Sequence, residues 1–251
     1  MTQYVDAEDG VKIAYEVAGD GPPIVLVHGF GASRTITWKN TLWIDTLARA
    51  GRRVIAMDAR GHGESGKPHD IPAYDEGRMA ADIAAVLDDL GLGSADLMGY
   101  SMGAFLAIRL MHDSPGRIRR AVLAGLGQNY FQVSPEWGET IAAALLAPDA
   151  GTIADPQGKE FRIFGERAGN DLKALAACVR RPRESYAPDE LMLLPHQILV
   201  VCGALDTLTG PPEPLAEAFS NARVVVIPKR NHHSTVGDAL YKDAVLAFLS
   251  E

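Results

Sequence analysis

Apolar positions along the chain fall into two alternating kinds of run. "PPIVLVHG" (22–29), "RRVIAMD" (52–58), "ADLMGY" (95–100), "IRRAVLAG" (118–125), "QILVVCG" (197–203) and "ARVVVIP" (222–228) are short and almost continuously apolar. Such runs predict strands buried on both faces. "VKIAYEVAG" (11–19) half alternates and predicts an earlier strand, with a weaker one near Gln3 to Ala7. The second kind of run has helical spacing. "TLWIDTLARAG" (41–51) closes on glycine, the usual stop signal. "DEGRMAADIAAVLDDLG" (75–91) puts Met79, Ile83, Val86, Leu87 and Leu90 on one face. Further helices are expected after Ser101, in "PPEPLAEAFS" (211–220) and in "DALYKDAVLAFLSE" (238–251). Strands alternating with helices predict an α/β fold: right-handed crossovers and a mostly parallel sheet with helices on both faces.

Between Gln128 and Leu194 the alternation stops. "WGETIAAALLAP", "GKEFRIFGERAG" and "DLKALAACVRR" are all helical in character and are separated by Pro and Gly. The segment reads as a mainly helical insertion after one strand. Composition adds little to this picture but excludes several classes. With 251 residues, 47 % apolar and 22 % charged, the chain can form one large domain carrying an insertion. A net charge of −8 argues against nucleic-acid binding, which needs a basic face. No run of about 18 apolar residues predicts a membrane span, and "MTQYVDAEDG" does not read as a secretory signal. Cys178 and Cys202 lie far apart, so two free core thiols and a cytoplasmic location are expected.

Chemistry concentrates at "GYSMG" (99–103), where an apolar strand must become a helix. A serine between Gly99 and Gly103 at such a junction fits G-x-S-x-G, a sharp turn that lifts the hydroxyl above the sheet edge. The Met102 amide at the helix start is then placed to meet an oxygen that gains negative charge. A serine needs a base, and an imidazole base needs a carboxylate to orient it. Asp206 is the only acid in the loop "ALDTLTG", and the loop "KRNHHSTVGD" offers His232 or His233. The chain order is serine, acid, histidine. A second oxyanion donor is expected from the glycine turn "VHGFGAS" (27–33), through the Phe30 amide. The remaining histidines match no metal-ligand spacing, so no metal is expected.

Taken in order, "HGFG" (28–31), "DARGHGES" (58–65), "GYSMG" (99–103), "GALD" (203–206) and the histidine of "PKRNHH" (228–233) make the chain resemble the α/β-hydrolase fold family over its whole length. The resemblance implies an eight-stranded mostly parallel sheet with a helical cap after the sixth strand. The core would then be 1–127 and 191–251, and the cap 128–190. It implies His232 as the base, four residues past Pro228, although Asn231 stands where the family often has a small residue. It assigns "DARGHGES" a structural role. Because the nucleophile position holds Ser101 and not aspartate, dehalogenase and epoxide hydrolase chemistry are disfavoured. A cofactor-free serine esterase acting on a small or medium, uncharged ester is the expected activity, as a monomer or small homo-oligomer. His28, Trp137, Phe161 and Phe164 are the candidate pocket residues. The alternatives are hydrolysis of a carbon–carbon bond in a dienoic keto acid, or a slow-turnover ligand-binding signalling protein of the same fold. Carbon–carbon hydrolysis would need basic residues in the pocket, whereas "VRRPR" (179–183) reads as a solvated helix face.

Overall fold

A computed structural model of the chain describes residues 1–132 and 134–251. Its eight strands are β1 (Gln3–Asp6), β2 (Lys12–Ala18), β3 (Pro23–Val27), β4 (Arg53–Met57), β5 (Ala95–Tyr100), β6 (Ile118–Ala124), β7 (Gln197–Gly203) and β8 (Ala222–Ile227). They form one sheet in the order β1-β2-β4-β3-β5-β6-β7-β8. β2 pairs antiparallel with β1 and with β4, and every other pairing is parallel.

The continuous apolar runs have a direct structural reason. Side chains alternate across a strand, and here each face packs its own core. Val25, Val27, Ile55, Met57, Leu123 and Val200 face one core. Ile24, Leu26, Val54, Ala56, Val122 and Val201 face the other. Each fully buried Val or Leu contributes about 1.5–3 kcal/mol, so losing either layer would expose half of every central strand. α1 (Trp43–Arg49) covers the second core, as does a later helix near the chain end. α2 (Glu76–Asp89) and α3 (Met102–Asp113) cover the first. One expectation needs correction. β8 was expected to be buried on both faces, but it is the last strand of the sheet and Val226 is 41 % exposed.

Between β6 and β7 lie α4 (Pro135–Leu146), α5 (Pro156–Arg167), α6 (Leu172–Val179) and α7 (Pro188–Met192). Their starts are written in the sequence. Ser134, Asp155 and Asp171 each accept a hydrogen bond from an amide of the first turn, and Pro135 and Pro156 open α4 and α5. Ile141, Leu145, Leu175 and Val179 give these helices a small core of their own, against which Phe30 and Phe161 pack. Asn170 ties them to the sheet loops, donating to Gly31 O at 2.6 Å and accepting from Gly63 N at 3.3 Å. After β7 come α8 (Glu213–Glu217), α9 (His232–Thr235) and α10 (Ala239–Leu249), which supplies Tyr241 and Val245 to the second core. α8 is shorter than the expected 211–220 at both ends. The single turn α9 replaces what read as loop. No helix among the described residues is long and apolar enough to cross a membrane.

Candidate active site

The loops leaving β3, β5, β6, β7 and β8 open on one cavity of about 470 Å³. Ser101 enters it from the end of β5 with φ 52° and ψ −112°, a conformation costing roughly 1–3 kcal/mol in a non-glycine residue. Gly99 and Gly103 make that turn possible. A Cβ on Gly99 would strike the Gly103 carbonyl, and one on Gly103 would strike the Val27 carbonyl. Strand and helix therefore touch backbone to backbone. Ser101 N donates to Ala124 O at 2.8 Å, which anchors the turn to β6. The Ser101 hydroxyl makes no hydrogen bond among the described residues.

His232 Nδ1 lies 2.8 Å from Asp206 Oδ2. A carboxylate oxygen can only accept, so Nδ1 is the donor of this bond, and in the neutral ring the lone pair then falls on Nε2. The other oxygen, Asp206 Oδ1, accepts from Leu208 N at 3.0 Å. The Asp206 carboxylate is wholly shielded from solvent, whereas the imidazole retains 13 % exposure toward the cavity. Asn231 explains how the ring is placed. Its side chain caps α9 by accepting from Ser234 N at 2.9 Å, so the helix begins at His232. An alanine there could not make this cap. Tyr100, which the sequence did not single out, completes the frame. Its hydroxyl donates to the His232 carbonyl, and the two rings lie 5.3 Å apart. Burial holds the phenol well above its ordinary pKa, so it remains a donor. His232 is thus tied to the residue immediately before the serine.

Phe30, Met102, Trp137, Phe161 and Phe164 all line the cavity, as do His232 and His233. The Phe30 and Met102 amides donate no hydrogen bond among the described residues, and Met102 opens α3, where the helix field favours negative charge. His233 sits beside Phe164 at 5.7 Å between ring centres, with Nε2 3.4 Å from Glu160 Oε1. Burial and then the His232 charge hold its pKa below the ordinary value.

His28 does not line the cavity. Its Nδ1 faces Gly29 O at 2.8 Å and its Nε2 accepts from Ala59 N at 3.1 Å, so its nitrogens are spent on its own loop after β3 and on the loop after β4. Beside it, His62 is fully buried, with Nδ1 2.9 Å from Arg60 O and Nε2 without a partner among the described residues. Burial, then the nearby His28, pulls the His62 pKa down to about 3. Between about pH 6.5, the ordinary imidazole value, and pH 3 the unfolded chain binds this proton and the folded chain does not. Stability therefore falls on acidification, by up to about 1.4 kcal/mol per pH unit for this group. Urea unfolding at pH 7 and pH 5 measures it. His62→Gln should show a shallower pH dependence than the parent protein, and an unchanged slope contradicts the assignment.

"VRRPR" also departs from expectation. α6 ends at Val179, so the run is a turn and not a solvated helix face. Arg181 is buried, with Nη1 2.9 Å from Cys178 O, and Arg183 lines the cavity. Arg60 and the rest of "DARGHGES" behave as structural residues. Arg60 is buried and pairs with Asp82 and Asp9, both at 2.7 Å. Cys178 and Cys202 are both unpaired and buried.

Comparison with known proteins places these features. The chain is 29 % identical over 235 residues to the dihydrolipoyllysine-residue acetyltransferase component of an acetoin cleaving system from Pseudomonas putida, covering 87 % of this chain but 60 % of that protein. It is 29 % identical over 216 residues to a 2-hydroxymuconate semialdehyde hydrolase from Pseudomonas sp. strain CF600, covering 79 % and 75 % of the two chains. The crystal structure of a hydrolase from Pseudomonas aeruginosa superposes with a TM-score of 0.81 at 28 % identity, over 100 % of this chain and 98 % of that one. Residues 22–155 match the family model described as alpha/beta hydrolase fold. With the sheet order, the strained serine turn and this match together, the chain belongs to the alpha/beta hydrolase family.

Proposed function

We propose that this protein is a serine hydrolase that cleaves small or medium carboxylic esters through an acyl-enzyme. One observation carries the reading. Asp206 Oδ2 holds His232 Nδ1 at 2.8 Å, which leaves Nε2 as the free ring nitrogen, and His232 lines the cavity that also holds Ser101 on its strained turn. In the reaction, His232 takes the Ser101 proton as Oγ attacks the acyl carbon. The Phe30 and Met102 amides hold the oxyanion, each such donor being worth roughly 3 kcal/mol in the transition state. The imidazolium, stabilised by Asp206, then protonates the leaving alkoxide. Water activated by His232 releases the acid and frees Ser101. No cofactor enters these steps. A cavity of about 470 Å³ suits a small molecule, and the 128–190 segment acts as its cap, with Phe161, Phe164 and Trp137 forming the roof.

The test is hydrolysis of p-nitrophenyl butyrate together with labelling by a fluorophosphonate. The protein should turn over the ester and take up one phosphonyl group at Ser101. Asp206→Asn should keep its fold and lose roughly 10⁴-fold in kcat, because an amide donating to Nδ1 would select the wrong tautomer. Activity of that variant within tenfold of the parent would remove Asp206 from the mechanism.

A further inference from the structure

The cavity wall carries one cation more than it needs. Arg181 and Arg183 both line it, and Glu76 is the carboxylate that meets them. Glu76 Oε1 lies 3.8 Å from Arg181 Nη2, with both side chains almost fully buried. Arg183 makes no ion pair or hydrogen bond among the described residues. Its guanidinium lies over the Trp137 ring at 4.6 Å and near the Phe105 ring at 5.7 Å. Aromatic faces hold a guanidinium plane but leave its N–H edge unused. That edge belongs to a side chain that is only half-buried because the cavity reaches it. Burial, then the neighbouring Arg181 charge, lowers the Arg183 pKa to about 10. At neutral pH the group is still a cation, held where its charge is poorly compensated.

An unpaired cation in a mostly apolar site is costly unless an anion joins it. The nearby acid, Glu76, comes within ion-pair distance of Arg181 and not of Arg183 among the described residues, so a partner for Arg183 would arrive with the ligand. Ser101 and Arg183 line the same cavity. Phe105, whose ring lies near Arg183, sits on the first turn of α3, and its amide donates to Ser101 O at 3.2 Å. A ligand that fills this cavity therefore meets both residues.

We infer that the substrate carries a free carboxylate, bound by Arg183 while its ester group meets Ser101. The protein is thus a hydrolase of half-esters or acyloxy acids, in place of the uncharged esters that the sequence suggested. Arg183 is its specificity-determining residue. Planar carboxylate and planar guanidinium meet through two parallel hydrogen bonds, which also fixes the orientation of the ester. This inference rests on the serine hydrolase reading for its chemistry, but its anion site can be measured separately.

Paired substrates test it, each pair differing only by carboxylate against methyl. Monoethyl glutarate is compared with ethyl pentanoate, and γ-acetoxybutyrate with butyl acetate, so that the charge lies on the acyl side or on the alcohol side. The parent protein should prefer the charged member of at least one pair by roughly ten- to a hundredfold in kcat/KM. Arg183→Gln should bring that ratio near one, and Arg183→Lys should keep part of it. A parent protein that prefers the neutral member of both pairs, or a charge preference that survives in Arg183→Gln, overturns the inference. Should Arg183→Gln fail to fold, competition in the parent protein decides. Glutarate should inhibit and its neutral diamide should not, while equal inhibition overturns the inference. Calorimetric titration with glutarate separates the two readings. Binding that Arg183→Gln weakens, in a protein that hydrolyses no ester, supports the anion site and refutes the serine esterase. Ester hydrolysis without charge preference or glutarate binding does the reverse.

Discussion

Ser101→Ala should abolish phosphonate labelling and reduce ester turnover by roughly 10⁵- to 10⁶-fold, to the level that binding and the oxyanion donors alone provide. The size of the loss follows from what the side chain does in the proposed reaction. Oγ forms the covalent bond to the acyl group, and no other hydroxyl is held at this turn. Stability should move the other way, or hardly at all. The strain at φ 52° belongs to the backbone, which alanine inherits, and the Ser101 hydroxyl gives up no hydrogen bond among the described residues when it is removed. A folded variant with unchanged melting temperature and no turnover is the expected pair of results. A folded variant that retains turnover within tenfold would mean that another residue attacks the ester.

The second large effect separates two adjacent histidines. His232→Ala should cost roughly as much as Ser101→Ala, since nucleophile and base act as one unit and their losses do not add. His233→Ala should cost less than about tenfold, because its side chain meets Glu160 and Phe164 and not Asp206. Rates for both variants and for the double variant Ser101→Ala, His232→Ala give the answer. The double variant should be no slower than either single one. Loss confined to His233→Ala would reverse the roles of the two rings.

Between these residues the division of evidence is clear. The G-x-S-x-G turn could be read directly, since Gly99 and Gly103 are demanded by steric contacts that any sequence must respect at such a junction. Asp206 was legible as the one acid of its loop. His28 was misjudged because it stands next to the glycine turn in the chain. Adjacency in sequence does not give direction, and its nitrogens turn inward to Ala59 and Gly29. "VRRPR" contained a signal that went unused. Pro182 cannot continue a helix, so a run through it could not be a solvated helix face. Nothing in the local sequence marked Tyr100 as a support of His232, because this partner lies 132 positions away.

What the sequence determined by itself was whatever depends on short range. Apolar periodicity set the strands and helices, proline and capping residues set most helix starts, and the crowded glycine turn set the position of the serine. The tertiary structure alone decided which side chains meet. It aimed Nδ1 of His232 at Asp206, spent His28 on the scaffold, and left Arg183 facing the cavity with its charge unanswered. The physical reason is that conformational preference is local, acting over a few bonds. Charge compensation and hydrogen-bond partnering act across space, between segments that only the folded sheet brings together.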